Sequence, residues 1–191
     1  MATIRRRTKE TRIEVRAAKA AGGSAAVRVE IASLAKGERE RLPFFEHMLT
    51  ALATYAAVDL DLVAEGDLRH HVMEDVGLAL GRALREITPE HAARYGEQTI
   101  PMDDALVTAV IDVGGRPFFV GALPSRLYTH VLQSMTVTLG ATLHLRVLDG
   151  HDRHHVIEAA YKATGLALRK ALALGGDVFS TKGRIDWEVE R

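Results

Sequence analysis

Apolar and polar residues follow two different periods along the chain, and stretches of the two kinds alternate. A stretch in which every second residue is apolar favours a half-buried strand, whereas apolar residues three and four apart favour a helix. In the first half, the strands predicted in this way are residues 11–18, 25–33 and 58–65, and the predicted helices are residues 44–56 and 70–87. The basic start of the chain, IRRRTKETR, alternates with apolar and acidic residues and is predicted to be a solvated strand.

The second half repeats this order of elements. Its predicted strands are residues 105–113, 117–123 and 141–148, and its predicted helices are residues 125–138 and 154–174. Each half therefore has the order strand, strand, helix, strand, helix, and residues 88–101 are predicted to form the connecting loop. We divide the chain into a first half, residues 1–97, and a second half, residues 98–191, which together form one compact α/β unit.

One short sequence occurs in both halves. The stretches GDLRHHVMED, from Gly66, and GHDRHHVIEA, from Gly150, each contain a glycine, then Arg-His-His, two apolar residues and a glutamate. On a helix, the first histidine of such a pair shares a face with the glutamate four residues later, while the second points about a quarter turn away. Each half also has a lone histidine on its first helix. The repeated residues are His47, His70, His71 and Glu74 in the first half and His130, His154, His155 and Glu158 in the second.

This repetition predicts a metal site. A single histidine on a helix is more often a surface or core residue than a ligand, but two copies in matching positions, each with an upstream histidine, favour metal binding. We expect two metal ions shared crosswise between the halves, each held by imidazoles and one carboxylate, and such ligands suit manganese, iron or zinc. Three neutral imidazoles and one carboxylate leave a divalent ion with about one positive charge, which favours an anionic ligand. His91, His144 and His151 have no counterpart in the repeat and are predicted to be structural or surface residues.

Composition narrows the class of protein. The chain has 191 residues, of which 25 are basic and 25 acidic, so no net charge favours binding to nucleic acid or to a membrane surface. It has no cysteine, which excludes disulfides, thiolate zinc sites and cysteine nucleophiles. The N-terminus lacks the apolar core of a signal peptide, and no apolar run is long enough to span a bilayer. We therefore expect a soluble protein of the cytoplasm.

Several other side chains are candidates for chemistry. Glu10 lies among basic and hydroxyl residues, and Asp103 and Asp104, in the sequence PMDDAL, could either begin a strand or take part in a reaction. Lys162 follows Glu158 by four residues and so stays on the metal-facing side of its helix. The sequence FSTKGR combines hydroxyls, an ammonium group and an unhindered backbone, which are the components of a phosphate nest. The predicted anion-binding residues are Arg94, Arg116, Lys162, Ser180, Thr181 and Lys182. A metal pair beside them indicates a small phosphorylated substrate.

The chain resembles the imidazoleglycerol-phosphate dehydratase family, whose members are lyases of histidine biosynthesis. The resemblance rests on an ordered set of motifs: RRTKETRI, FFEHML, HHVMEDVGLALG, RYG, PMDDAL, GRP, TLHLRVLDG, HHVIEAAYKATGLALRKAL and STKG. It implies an internally duplicated α/β fold with a mixed four-stranded sheet backed by helices in each half. It also implies a homo-oligomeric particle of 24 subunits, with the active sites between subunits.

The resemblance further implies a site with two manganese ions and a phosphorylated imidazole substrate. By residue match, one ion would be bound by His47, His71, His154 and Glu158, and the other by His70, Glu74, His130 and His155. The catalytic residues would be Glu10, Lys162 and Asp103. The residues that contact the substrate and its phosphate would be Tyr55, Arg94, Arg116, Ser180, Thr181 and Lys182. The reaction implied is dehydration of D-erythro-imidazole-glycerol phosphate to imidazole-acetol phosphate.

The chain departs from the family pattern at three points. Ala51 and Tyr55 stand where the family usually has a glutamine and a second histidine, and GDLRHH lacks the acidic residues that normally precede the first histidine pair. Tyrosine is a poor replacement for a histidine base because its pKa is high. Two alternatives to the dehydratase therefore stay open: a divergent paralogue with a changed substrate or lost turnover, and a particle that stores metal or serves as a scaffold. The anion-binding residues argue against storage, which would not need them.

Overall fold

The computed structural model describes residues 1–34 and 40–175, so the predicted phosphate nest at residues 180–182 lies outside the described residues. The elements of the first half are the strands β1 (Ala2–Arg7), β2 (Thr11–Lys19), β3 (Val27–Ser33), β4 (Glu40–Arg41) and β5 (Val58–Gly66), and the helices α1 (Pro43–Ala56) and α2 (Arg69–Ile87). Those of the second half are β6 (Tyr95–Met102), β7 (Ala105–Val113), β8 (Phe118–Val120) and β9 (Ala141–Asp149), with the helices α3 (Arg126–Leu139) and α4 (Arg153–Ala171).

The two halves have the same sheet topology. The strand order is β1-β2-β5-β3-β4 in the first sheet and β6-β7-β9-β8 in the second. In each sheet the first two strands pair antiparallel, the second pairs antiparallel with the last long strand, and that strand pairs parallel with the third. The predicted duplicated α/β unit with mixed sheets is thus confirmed, and the first sheet has in addition the two-residue strand β4.

One face of each sheet packs against the helices, and the residues along the strands are therefore alternately buried and exposed. In β2, Ile13, Val15 and Ala17 are buried, whereas Arg12 and Arg16 on the opposite face are exposed. The helices of each half pack against their own sheet, and across the halves α2 packs against α3 and α1 against α4. The four helices therefore form a layer between the two sheets, with one continuous apolar core. This cross-packing brings residues of different halves together.

One part of the predicted organisation is wrong. Residues 88–101 were expected to be loop, but β6 occupies most of their second part and runs across the predicted boundary between residues 97 and 98. Its sequence, YGEQTIPM, contains a glycine and a proline that weaken the strand pattern. Pro101 is tolerated because β6 is an edge strand, and Gly96 is required because any side chain there would overlap the backbone oxygen of Ala167 in α4. We propose that the second half begins at Tyr95.

In the described part of the chain, every helix is either too short or too polar to cross a lipid bilayer.

Candidate metal centre

The two histidine pairs occupy the first turns of α2 and α4, directly after the last strand of each half. In α4, the Asp152 side chain caps the helix by accepting hydrogen bonds from the backbone N–H groups of His154 and His155, at 2.7 and 3.4 Å. The start of the helix is therefore held in place, and with it the directions of the two imidazoles. The lone histidines, His47 on α1 and His130 on α3, lie on the helices that cross-pack with α4 and α2.

The first cluster, which we call group one, consists of His47, His154 and Glu158. The Nε2 atoms of His154 and His47 lie 3.0 and 3.4 Å from the same oxygen, Oε2 of Glu158. The carboxylate is almost completely buried, whereas both imidazoles are about half exposed. The three ligand atoms lie within 4.8 Å of one another. Two ligands at about 2.1 Å from one ion are roughly 3.0–3.5 Å apart, so this cluster fits a divalent metal.

The second cluster, group two, consists of His70, Glu74 and His130. The Nε2 atom of His70 lies 3.5 Å from Oε2 of Glu74, and Nε2 of His130 lies 3.8 Å from the other oxygen, Oε1. These ligand atoms also lie within 4.8 Å of one another. In each group, then, the lone histidine of one half meets the His/Glu pair of the other. The structure thus brings together six of the eight predicted ligands in the crosswise arrangement expected from the repeat.

The other two predicted ligands lie outside both groups of their own chain. His71 lies with Asp67 and Glu10: its Nδ1 atom is 2.8 Å from Oδ1 of Asp67 and 3.7 Å from Oε2 of Glu10. Hydrogen bonding to Asp67 raises the pKa of His71 and lowers the pKa of Asp67. The predicted catalytic residue Glu10 is thus placed beside a predicted metal ligand, on the turn between β1 and β2.

His155 has a matching environment in the second half. Its Nδ1 atom lies 2.7 Å from Oδ1 of Asp104, and its Nε2 atom lies 3.3 Å from Oδ2 of Asp103, whose side chain is largely exposed. The hydrogen bond to Asp104 raises the pKa of His155. Hydrogen bonds from the backbone N–H groups of Asp152 and His151, together with that from His155, hold the pKa of Asp104 well below its usual range.

Lys162 stabilises the charge on Glu158. Burial alone would raise the pKa of Glu158, but the Lys162 ammonium, 2.8 Å from Oε1, and the imidazoles of group one lower it overall. One carboxylate oxygen thus faces Lys162 and the other faces the histidines. Lys162 also lies over the ring of Tyr55, with Nζ 5.7 Å from the ring centre, so the departure from the family pattern at Tyr55 lies one contact away from group one.

The predicted phosphate contacts within the described residues lie elsewhere. Arg94 has a left-handed backbone conformation and forms an ion pair with Asp112 at 3.1 Å. Its backbone N–H donates to the carbonyl of Ala171, the last residue of α4. Since His154 is the second residue of α4 and Ala171 is its last, these two residues are about 26 Å apart along the helix axis, and Arg94 lies at the end opposite to group one. Arg116 is exposed in the turn before β8 and is not part of either group.

Of the two carboxylates that contact the second histidines, Asp67 was not predicted from the sequence, whereas Asp104 was named beside Asp103 as a candidate without a specific role. Asp67 precedes His71 by four residues, a spacing that places it within reach at the start of a helix, so the sequence contained a signal for it. Asp104 comes from the turn between β6 and β7, far from His155 in sequence. Only the pairing of β7 with β9 brings that turn to the start of α4.

The fold and the two groups define an internally duplicated α/β protein with a candidate dimetal centre. The family model described as imidazoleglycerol-phosphate dehydratase matches residues 41–168. Imidazoleglycerol-phosphate dehydratases of Desulfitobacterium hafniense and Rhodopseudomonas palustris strain HaA2 are 39% and 38% identical to the chain. The first alignment covers 95% of this chain and 96% of the relative, and the second covers 96% and 98%.

Two solved structures have the same fold. The dehydratase of Pyrococcus furiosus, in complex with (S)-C348, is 37% identical with a TM-score of 0.78, over 95% of this chain and all of that one. The enzyme of Staphylococcus aureus is 27% identical with a TM-score of 0.72, over 91% of this chain and all of that one. The chain therefore belongs to the imidazoleglycerol-phosphate dehydratase family, a family of hydro-lyases.

Proposed function

We propose that the protein dehydrates D-erythro-imidazole-glycerol phosphate to imidazole-acetol phosphate, with two manganese ions held by groups one and two. The observation that carries this proposal is the crossed arrangement of the two groups, each with two imidazoles and one carboxylate whose ligand atoms lie within 4.8 Å. Nitrogen and oxygen ligands of this kind suit a divalent transition metal. Family membership supports the choice of substrate. The cytoplasmic location expected from the sequence stays a prediction.

The proposal includes an active site formed between copies of the chain. Each group has three of its four predicted ligands, while His71 and His155 lie outside the groups of their own chain. We propose that these two histidines complete the groups of neighbouring copies. The position of Arg94 at the far end of α4 supports the same arrangement, since its guanidinium could reach a bound phosphate only in another copy. The 24-subunit particle stays a prediction.

The chain's own residues supply the remaining parts of the reaction. When bound, divalent ions would supply Lewis acidity that stabilises negative charge on the substrate imidazole. Glu10 would accept the proton from the middle carbon of the substrate side chain, because it lies on an exposed turn beside a predicted metal ligand. The hydroxyl on the carbon next to the ring leaves and takes up that proton, so water is released, and the resulting enol becomes the ketone on the middle carbon. Lys162 would keep Glu158 ionised for metal binding, and Arg94 and Arg116 would bind the phosphate.

Turnover of imidazoleglycerol phosphate by the purified protein tests the proposal. We expect product with added Mn²⁺, little or none after chelation, and a loss of activity in the variant His154→Ala. His144→Ala is the matched control, because His144 lies on β9 outside both groups. Lack of turnover in a protein that binds Mn²⁺ in the expected ratio would refute the dehydratase assignment.

One observation favours the divergent paralogue as a second candidate. Tyr55 contacts the Lys162 ammonium, and Ala51, on the preceding turn of α1, is buried in the chain. The glutamine and the second histidine that the family usually has are therefore both absent from this part of α1, beside group one. A protein that binds two Mn²⁺ ions and turns over only a related imidazole phosphate, or none, would support this candidate. A protein that binds many more metal ions than two per chain would instead support metal storage.

A further inference from the structure

Each half of the chain has one carboxylate on the Nδ1 side of the second histidine of its pair. In the first half this is Asp67, and in the second half it is Asp104, at 2.8 and 2.7 Å. Carboxylates that are ionised can only accept hydrogen bonds, so Nδ1 of each imidazole must be the protonated nitrogen. In the neutral imidazole the opposite nitrogen, Nε2, then carries the lone pair that can bind a metal ion, and in His155 this nitrogen lies 3.3 Å from Oδ2 of Asp103.

Both carboxylates are themselves held in place. Oδ1 of Asp67 also accepts the backbone N–H of Leu68 at 2.6 Å. Oδ2 of Asp104 accepts the backbone N–H groups of His151 and Asp152 at 2.6 and 3.0 Å. Each carboxylate thus connects the loop before a helix to the imidazole on that helix. The two imidazoles are less exposed than those of His70 and His154 in the same pairs, as fits rings held by a second contact.

The two carboxylates do not occupy equivalent positions in the repeat. Asp104 directly precedes β7, and its counterpart in the first half is Glu10, which directly precedes β2. Glu10 also points towards His71, but its carboxylate oxygen is 3.7 Å from Nδ1, beyond hydrogen-bonding distance. Asp67 holds that nitrogen instead, and its counterpart in the second half is His151. One half thus uses the turn carboxylate to hold its histidine, while the other leaves the turn carboxylate without that contact.

We infer that Asp67 and Asp104 are positioning residues, which fix the metal-binding tautomer of His71 and His155, and that Asp67 thereby leaves Glu10 available to the substrate. The inference rests on the proposed metal-dependent function. It adds a division of labour between the halves: the turn carboxylate Asp104 holds a histidine, whereas Glu10, at the equivalent position, is available to the substrate. It also accounts for the shortened sequence GDLRHH, since Asp67 supplies a carboxylate to the first pair from a position four residues before His71. The two carboxylates act through the histidines and are not themselves assigned to the reaction.

Manganese affinity, measured by titration calorimetry on the purified full-length protein, tests the first part. We expect Asp67→Ala and Asp104→Ala to raise the Kd for Mn²⁺ about 10–100-fold, the usual effect of losing a partner of a metal-binding histidine. Asp67→Asn and Asp104→Asn should recover part of the affinity, because an amide oxygen still accepts the Nδ1–H. These variants also retain an acceptor for the loop N–H groups, and melting curves of each variant would test whether it is folded. Glu65→Gln and Asp149→Asn, nearby carboxylates without a histidine contact in the described residues, should leave the affinity unchanged.

The division of labour is tested by a double-mutant cycle with Glu10. Glu10→Gln alone should reduce turnover but leave Mn²⁺ affinity unchanged. In Asp67→Ala, Glu10 is the nearest remaining carboxylate to Nδ1 of His71, so adding Glu10→Gln to Asp67→Ala should weaken Mn²⁺ binding further. Additive effects in this cycle would overturn the division of labour. Wild-type affinity in both alanine variants would overturn the positioning role while leaving the proposed function intact, whereas a wild-type protein that binds no Mn²⁺ would overturn both.

Discussion

Tyr55 is the residue at which this chain differs most in chemistry from what its family membership predicts. Its ring lies under the Lys162 ammonium, and Lys162 in turn forms the ion pair with the buried Glu158 of group one. The ring therefore contacts the cation that keeps Glu158, a predicted metal ligand, ionised. Its hydroxyl is a separate feature that could contact the substrate, and the two contributions can be separated by substitution.

We predict that Tyr55→Phe slows turnover about tenfold, the effect of losing one hydrogen bond of about 1.4 kcal/mol in the transition state. The phenylalanine ring preserves the contact with Lys162, so Mn²⁺ binding should not change. The double variant Ala51→Gln, Tyr55→His should retain or raise turnover. Steady-state kinetics with saturating Mn²⁺ would decide this. Unchanged turnover in Tyr55→Phe would mean that only the ring matters, and a wild type without activity beside an active double variant would favour the lost-activity paralogue.

The crossed arrangement of the two groups leads to a second prediction, about the metal content of variants that lack a single ligand. His47→Ala removes a ligand from group one only, and His130→Ala removes one from group two only. Each variant should therefore lose about one of the two metal ions per chain and keep the other. Elemental analysis after dialysis against limiting Mn²⁺ measures the ratio, with His144→Ala as a control that keeps both ions. Loss of both ions in each single variant would show that the two groups bind cooperatively rather than separately.

At the scale of the elements, the positions of the ligands depend on how closely the helices approach one another. Gly77 and Gly81 on α2 face the backbone of α3: a Cβ atom at Gly77 would lie 2.6 Å from the Val131 oxygen, and one at Gly81 would overlap the Met135 oxygen. On the other side, a Cβ atom at Gly165 of α4 would lie 2.5 Å from the Leu52 oxygen of α1. Glycine is needed at these positions because backbone meets backbone across the halves.

We predict that Gly81→Ala destabilises the protein by about 1–3 kcal/mol, the usual cost of overpacking. Alanine in a helix would by itself stabilise by about 1 kcal/mol relative to glycine, but the contact with the α3 backbone outweighs this gain. Arg82→Ala, at the next position of α2, removes only an exposed ion pair with Glu86 and should change stability by less than about 0.5 kcal/mol. Thermal melting of the two variants measures the difference. A melting temperature for Gly81→Ala at or above that of wild type would contradict the proposed close packing of α2 and α3.

At the scale of the whole molecule, metal and assembly are expected to depend on each other. Each group has three of its four predicted ligands within its own chain, so in the proposed arrangement a bound ion would connect two copies. We predict that removing metal with a chelator lowers the assembly state or the melting temperature, and that adding Mn²⁺ restores it. Light scattering and thermal melting before and after chelation are the measurements. An assembly that stays intact after verified metal removal would show that apolar contacts alone hold the copies together.

Local patterns in the sequence predicted the repeated unit and the candidate metal ligands. Period-two and helical spacing depend on neighbours along the chain, and for that reason they predicted strands β2, β5 and β7 and all four helices within a few residues. The spacing of His70 and Glu74, and of His154 and Glu158, likewise needs only one turn of helix to bring an imidazole towards a carboxylate. The duplication itself, visible in two similar stretches, predicted that the groups would be shared between halves.

Tertiary structure decided the features that depend on contacts between distant segments. Strand β6 has a weak pattern and is stabilised by its pairing with β7 and by the close approach of α4 to Gly96. The insertion of β5 between β2 and β3 also follows from long-range pairing rather than from sequence order. Asp104 reaches His155 only because two strands bring separate turns together, and a local pattern has no information about such pairs. The sequence alone therefore determined which residues could bind metal, while packing decided which carboxylates hold them in place.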